Sequence, residues 1–97
     1  MEALRRPDLF VLVRLLEAAR TKNRTLNRTQ LQVASGMNYS QFQKYLALAT
    51  SRGLLNLVPA GDDAPLVELT AKGYDALMFL ARGLKEVVGV DFPSERE

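Results

Sequence analysis

Within residues 38–44 the chain sets Asn38, Tyr39, Ser40, Gln41, Gln43 and Lys44 almost side by side, every one with a hydrogen-bonding group and only one with a charge. An amide pairs a donor with an acceptor in one plane, a hydroxyl does both from a single atom, and an ammonium only donates. This is the chemistry of recognition, and it makes or breaks no covalent bond. Most side chains that would do so are missing. The 97 residues include no Cys and no His, which removes Cys-His and Ser-His-Asp nucleophiles, zinc fingers and imidazole acid-base catalysis. The six glycines form neither G-x-G-x-x-G nor G-x-x-x-x-G-K-[ST], so neither phosphate-cradling loop is present. Asp62 and Asp63 are adjacent in a turn-like stretch with no third group placed beside them. The sequence therefore reads as that of a non-enzyme with no cofactor, no metal and no identifiable small-molecule ligand.

Charge is divided unevenly along the chain. Residues 1–59 hold nine bases (Arg5, Arg6, Arg14, Arg20, Lys22, Arg24, Arg28, Lys44, Arg52) against three acids (Glu2, Asp8, Glu17), and residues 60–97 hold four bases against eight acids. The overall +2 thus hides a basic half and an acidic half, the pattern of a chain with one face turned toward a polyanion. The apolar run Leu9–Val13 stops at Arg14, short of the roughly 7–15 residues of a signal-peptide core, and nothing approaches the roughly 20 of a membrane span. A cytoplasmic protein without a membrane partner is expected. At 10.8 kDa its own core must be thin, so surplus apolar surface points to a second copy.

The elements that hold the candidate residues are legible from capping signals. Pro7 to Arg20 begins with a proline suited to a first helical turn and is apolar at nearly every helical phase except Arg14 and Glu17, which makes it a central helix. Next comes a polar connection from Thr21 to Thr25. In Leu26-Asn27-Arg28-Thr29-Gln30-Leu31, Asn27 takes the N-cap position, Gln30 completes a capping box, and Leu26 and Leu31 form a hydrophobic staple. That second helix runs to about Ser35 and turns at Gly36. Met37-Asn38-Tyr39-Ser40-Gln41-Phe42 repeats the device, with Asn38 as N-cap, Gln41 at N3, and Met37 and Phe42 as staple. The third helix continues to Arg52 and stops at Gly53, so the pair forms a helix-turn-helix. Leu54–Pro59 and Leu66–Leu69 read as the strands of a hairpin, or wing, joined by a turn over Ala60–Pro65. Thr70 caps a fourth helix reaching about Val88, Gly89 ends it, and residues 90–97 form a charged, frayed tail. The fold class is α+β and mainly helical, with a single domain over residues 1–89.

The stretch from Met37 to Leu46, then Arg52-Gly53-Leu54-Leu55, then Leu69-Thr70-Ala71-Lys72-Gly73-Tyr74 resembles the archaeal winged helix-turn-helix family of small DNA-binding proteins, which includes dimeric transcriptional regulators and chromatin-type proteins. The resemblance covers roughly Asp8 to Leu84. It implies a three-helix core, a two-stranded wing and a C-terminal helix that pairs two units, and it implies double-stranded DNA as partner and a place at the nucleoid.

The residues of the third helix fit that implication. At about 100° per residue Phe42, Tyr45, Leu46 and Ala49 share one face, and Ser40, Gln43, Lys44, Ala47 and Ser51 share the other. The second face is small and polar, as a helix entering the major groove needs. Asn38, Tyr39, Ser40, Gln41, Gln43 and Lys44 are the candidates for base contact. Lys22, Arg24, Arg28 and Thr29, at or before the start of the second helix, are the candidates for phosphate contact. One feature departs from the pattern, because the wing tip carries Asp62 and Asp63 and no base. On the fourth helix Tyr74, Leu77, Ala81, Leu84 and Val88 form a heptad-like stripe assigned to the homodimer, beside a second stripe of Ala76, Leu80, Gly83 and Val87. The other reading of the whole is a winged-helix adaptor that binds proteins through its acidic wing or its apolar fourth helix.

Overall fold

The computed structural model describes residues 6–21 and 26–90. In chain order the elements are α1 (Leu9–Thr21), β1 (Leu26–Asn27), α2 (Arg28–Ser35), α3 (Tyr39–Ser51), β2 (Leu55–Ala60), β3 (Asp63–Leu69) and α4 (Ala71–Val88). Helix α1 is central, as its all-round apolarity requires. It packs on α2, α3, β3 and α4, with Val13, Leu15 and Leu16 fully buried. Its start differs from expectation. Pro7 lies outside the helix and Asp8 caps it, Oδ1 accepting from the Phe10 N–H at 2.9 Å and the Val11 N–H at 3.4 Å. The Asp8 N–H in turn donates to the Tyr45 hydroxyl at 2.8 Å, tying the entry of α1 to α3.

The two predicted helix starts are present, and they differ in completeness. At Asn27 the box closes both ways, Oδ1 accepting from the Gln30 N–H at 2.8 Å and Gln30 Oε1 from the Asn27 N–H at 3.0 Å. At Asn38 the forward bond to the Gln41 N–H forms at 2.8 Å. Among the described residues Gln41 makes no return bond, so the second box is half formed. Both staples are buried, through Leu26 with Leu31 and Met37 with Phe42. The turn between the helices depends on Gly36, whose φ of 72° lies in the left-handed region that a side chain resists. Arg14 reinforces it from α1, Nε donating to the Ser35 carbonyl at 3.0 Å, at the negative end of α2.

The sheet has the order β1-β3-β2 and is antiparallel throughout. Strand β1 pairs Leu26 with Val67 and Asn27 with Leu66, and it is too short to have left a period-2 signal in the sequence. The wing is longer and its turn tighter than expected. Ala60 pairs with Asp63 across Gly61 and Asp62, and β3 carries one more residue than β2 between that pair and Val58↔Leu66. Pro59 and Pro65 fall in this irregular segment, where a residue without an N–H breaks no regular ladder bond.

The Thr-x-Lys-Gly run at the start of α4 proves to be a clasp on the end of α3. Thr70 Oγ1 donates toward the Gly53 and Leu54 carbonyls at 2.6 and 3.1 Å and accepts from the Gly73 N–H at 2.9 Å. Lys72 Nζ donates to the Arg52 carbonyl at 2.7 Å. Gly73 lets the backbone of α4 meet Leu54, for a Cβ there would overlap the Leu54 carbonyl oxygen. Three helices around α1, with a three-stranded sheet ending in a hairpin, make this a winged helix-turn-helix fold.

Candidate nucleic-acid interface

Helix α3 divides as its sequence indicates. Phe42, Tyr45, Leu46 and Ala49 are buried, while Ser40, Gln43, Lys44, Ala47 and Ser51 are exposed. The inner four anchor the helix, so the outer face is rigidly presented. Asn38 and Tyr39 are exposed at its start, and Gln41 is half-buried. The structure thus places all six base-facing candidates at the start of α3, with Ser40, Gln43 and Lys44 on its outer face, Asn38 and Tyr39 exposed at its first turn, and Gln41 turned partly inward. It also adds a bond the sequence reading missed. Gln43 Nε2 donates to the Tyr39 hydroxyl at 2.9 Å, and the signal that could have revealed it is their i, i+4 spacing.

Arg28 and Thr29 are exposed in the first turn of α2, where helix N–H groups and the macrodipole favour anions. Lys22 and Arg24 lie outside the described residues. Residues 18–61 contain no Asp or Glu at all, so nothing on α2, the turn or α3 opposes the field of Arg28, Lys44 and Arg52. All three are exposed. The next acids along the chain are Asp62 and Asp63 at the wing tip, both exposed.

The stripe assigned to the dimer is corrected by the structure. Leu77 is 0% and Ala81 1% exposed, and Leu84 is buried as well, because this phase of α4 packs against α1 within the same chain. Side chains already enclosed have no surface to give a partner. Only Tyr74 and Val88 of the five are exposed. Of the second stripe, Ala76 and Leu80 are half-buried against the core and Gly83 is half-buried, so the apolar groups this flank leaves exposed are Val87 at 84% and Phe79 at 77%. With two apolar stripes on one helix, periodicity alone does not say which one the core takes.

No protein-family model and no curated protein matches this sequence. Solved structures do. The chain is similar to Sso10a-2, a DNA-binding protein from Sulfolobus solfataricus, with a TM-score of 0.70 and 24% identity over 82% of this chain and 80% of that one. It is also similar to the transcriptional regulator BldR from Sulfolobus solfataricus, with a TM-score of 0.69 and 18% identity over 90% of this chain and 66% of that one. The likeness is one of fold. It bears out the winged-helix architecture that the Tyr-Leu, Gly-Leu-Leu and Leu-Thr-x-Lys-Gly runs pointed to. Among the described residues no helix is long and apolar enough to cross a membrane.

Proposed function

We propose that this chain binds duplex DNA as a homodimer and acts as a transcriptional regulator or chromatin-type protein, with α3 in the major groove. The observation that carries the reading is the exposed, hydrogen-bonding face of α3, set in a stretch, residues 18–61, that has no acidic residue. Phosphates attract and orient such a surface from a distance, and amides and hydroxyls then meet the base edges. Arg28 and Thr29 contact phosphate from the start of α2, and Lys22 and Arg24 remain further candidates for phosphate contact. The apolar residues that α4 leaves exposed, Phe79 and Val87, form the two-fold seam. A seam of this kind places two copies of α3 about 34–36 Å apart, in successive major grooves of a pseudo-palindromic site. The similarity in fold to a DNA-binding protein and a transcriptional regulator supports the same reading.

The acidic wing tip favours one competitor, an adaptor that grips a protein and never touches DNA. Charge reversal separates the two. Fluorescence anisotropy of a labelled duplex, titrated with wild type and with Arg28→Glu at several salt concentrations, is expected to show binding that weakens as a power of salt. The reversal should cut affinity and reduce the slope by about 0.9 for each phosphate that is no longer neutralised. Absence of binding by the wild type at low salt would overturn the DNA reading and leave the adaptor.

A further inference from the structure

We infer that Gln43 is the side chain that reads base identity, that the base it selects is an adenine, and that Tyr39 is the positioning residue that holds its amide. The inference rests on the proposed function, in which α3 enters the major groove.

Gln43 and Tyr39 stand one turn apart on the exposed face of α3, joined by the 2.9 Å bond from Nε2 to the hydroxyl. Glutamine loses much rotamer freedom when it is fixed in a contact. A side chain already tethered to its own helix loses less when a base arrives, and this preorganisation is a reason for both residues to be exposed and paired. The tether also decides which base fits. With one N–H committed to Tyr39, the amide keeps one N–H and the lone pairs of Oε1. One donor beside one acceptor matches the N7 acceptor and N6 amino donor of adenine in the major groove. Guanine presents two acceptors, N7 and O6, and would require both N–H groups of the amide. Cytosine and thymine each offer a single polar group there.

The neighbours are less suited to discriminate. Asn38 spends its Oδ1 on the Gln41 N–H at 2.8 Å. Ser40 serves any base, and Lys44 serves a phosphate as readily as a guanine. The Tyr39 hydroxyl, accepting from Gln43, keeps its own proton to donate to a phosphate or to a second base. Tyr39 is 65% exposed, so neither residue is a fold determinant.

The experiment is selection from a random-sequence duplex library by wild type, Gln43→Ala and Tyr39→Phe, followed by anisotropy on the selected duplex and on its single-base variants. Thermal unfolding of all three proteins is expected to coincide. Wild type should select adenine at one position in each half-site, preferring it about 5- to 140-fold over the other bases. Gln43→Ala should lose that preference at that position alone, while Tyr39→Phe should narrow it several-fold with the salt slope unchanged. A merely structural role for Tyr39 would instead weaken all duplexes equally. Selection of guanine at the Gln43 position, or an adenine preference that survives Gln43→Ala, would overturn the assignment while leaving DNA binding intact. Failure of wild type to retain any duplex at low salt would overturn the groove reading and this assignment with it.

Discussion

Gly73 and Gly83 lie on the same helix, and the same substitution should have opposite effects at the two. A Cβ on Gly73 would overlap the Leu54 carbonyl oxygen and stand 2.8 Å from Leu69 Cδ1 and 2.9 Å from the Leu54 carbonyl carbon. Two of these are backbone atoms that cannot rotate away. Relief requires α4 to withdraw from the α3–β2 junction, and the Leu54 carbonyl then loses the bonds it accepts from Thr70 N–H and Thr70 Oγ1, each 3.1 Å. Overpacking costs about 1–3 kcal/mol and two hydrogen bonds about 1 kcal/mol each, offset by somewhat less than ~1 kcal/mol of improved helix propensity. Gly73→Ala should therefore cost about 2–4 kcal/mol, a large share of the roughly 5–15 kcal/mol that holds a domain together. For a chain of this size that is a fall in Tm on the order of 10–30 °C. At Gly83 nothing lies within 4 Å of the added Cβ. Only propensity acts, and Gly83→Ala should raise Tm by about 2–8 °C. Thermal unfolding by far-UV circular dichroism at a concentration where the chain is monomeric reads both. A Gly73→Ala protein within a degree or two of wild type would refute the clasp, and a Gly83→Ala protein that unfolds earlier would refute the open surface assigned to that face.

Other outcomes follow from single bonds and faces. Arg14→Ala removes the bond to the Ser35 carbonyl and should cost about 0.5–1.5 kcal/mol of stability, read as a lower urea midpoint at an unchanged m-value. Gln30→Ala opens the closed capping box at a similar cost of about 0.5–1.5 kcal/mol. Among the described residues the Gln41 side chain makes no hydrogen bond, so Gln41→Ala should leave unfolding within about 0.5 kcal/mol of wild type while weakening duplex binding by anisotropy. Phe79→Arg, on the outward face of α4, should shift sedimentation from dimer to monomer with the circular dichroism spectrum preserved. Leu77→Ala, on the inward face, should instead cost about 2–5 kcal/mol of stability.

How far the sequence reveals the fold depends on how local each signal is. Asn27, Gln30, Gly36, Asn38, Thr70 and Gly89 mark boundaries through bonds to residues a few positions away, and each marks a real helix end. The inner face of α3 is equally legible, since a single apolar stripe on a short helix leaves no choice of side. Strand β1 is not legible, because two residues carry no period, and only the distant Val67 and Leu66 make them a strand. Helix α4 is ambiguous for the opposite reason. It carries two stripes, and which of them faces α1 is settled by packing with residues far away in sequence. The proposed recognition face follows the same logic. Ser40, Gln43 and Lys44 announce an exposed polar surface, but the tether from Gln43 to Tyr39 depends on rotamers that only the folded helix displays. Lys72 and Gly73 read as part of a family cadence, and their physical task, holding the end of α3, becomes visible only against Arg52 and Leu54.

The most direct test of the central claim is a map of where duplex DNA touches the chain. Titration of the uniformly ¹⁵N-labelled protein with a short random-sequence duplex, followed amide by amide, should shift residues 28–30 at the start of α2 and 38–44 at the start of α3. The amides of Gly61, Asp62 and Asp63 at the acidic wing tip should stay in place. Shifts concentrated on the wing or on the outward face of α4, with α3 unmoved, would contradict the account.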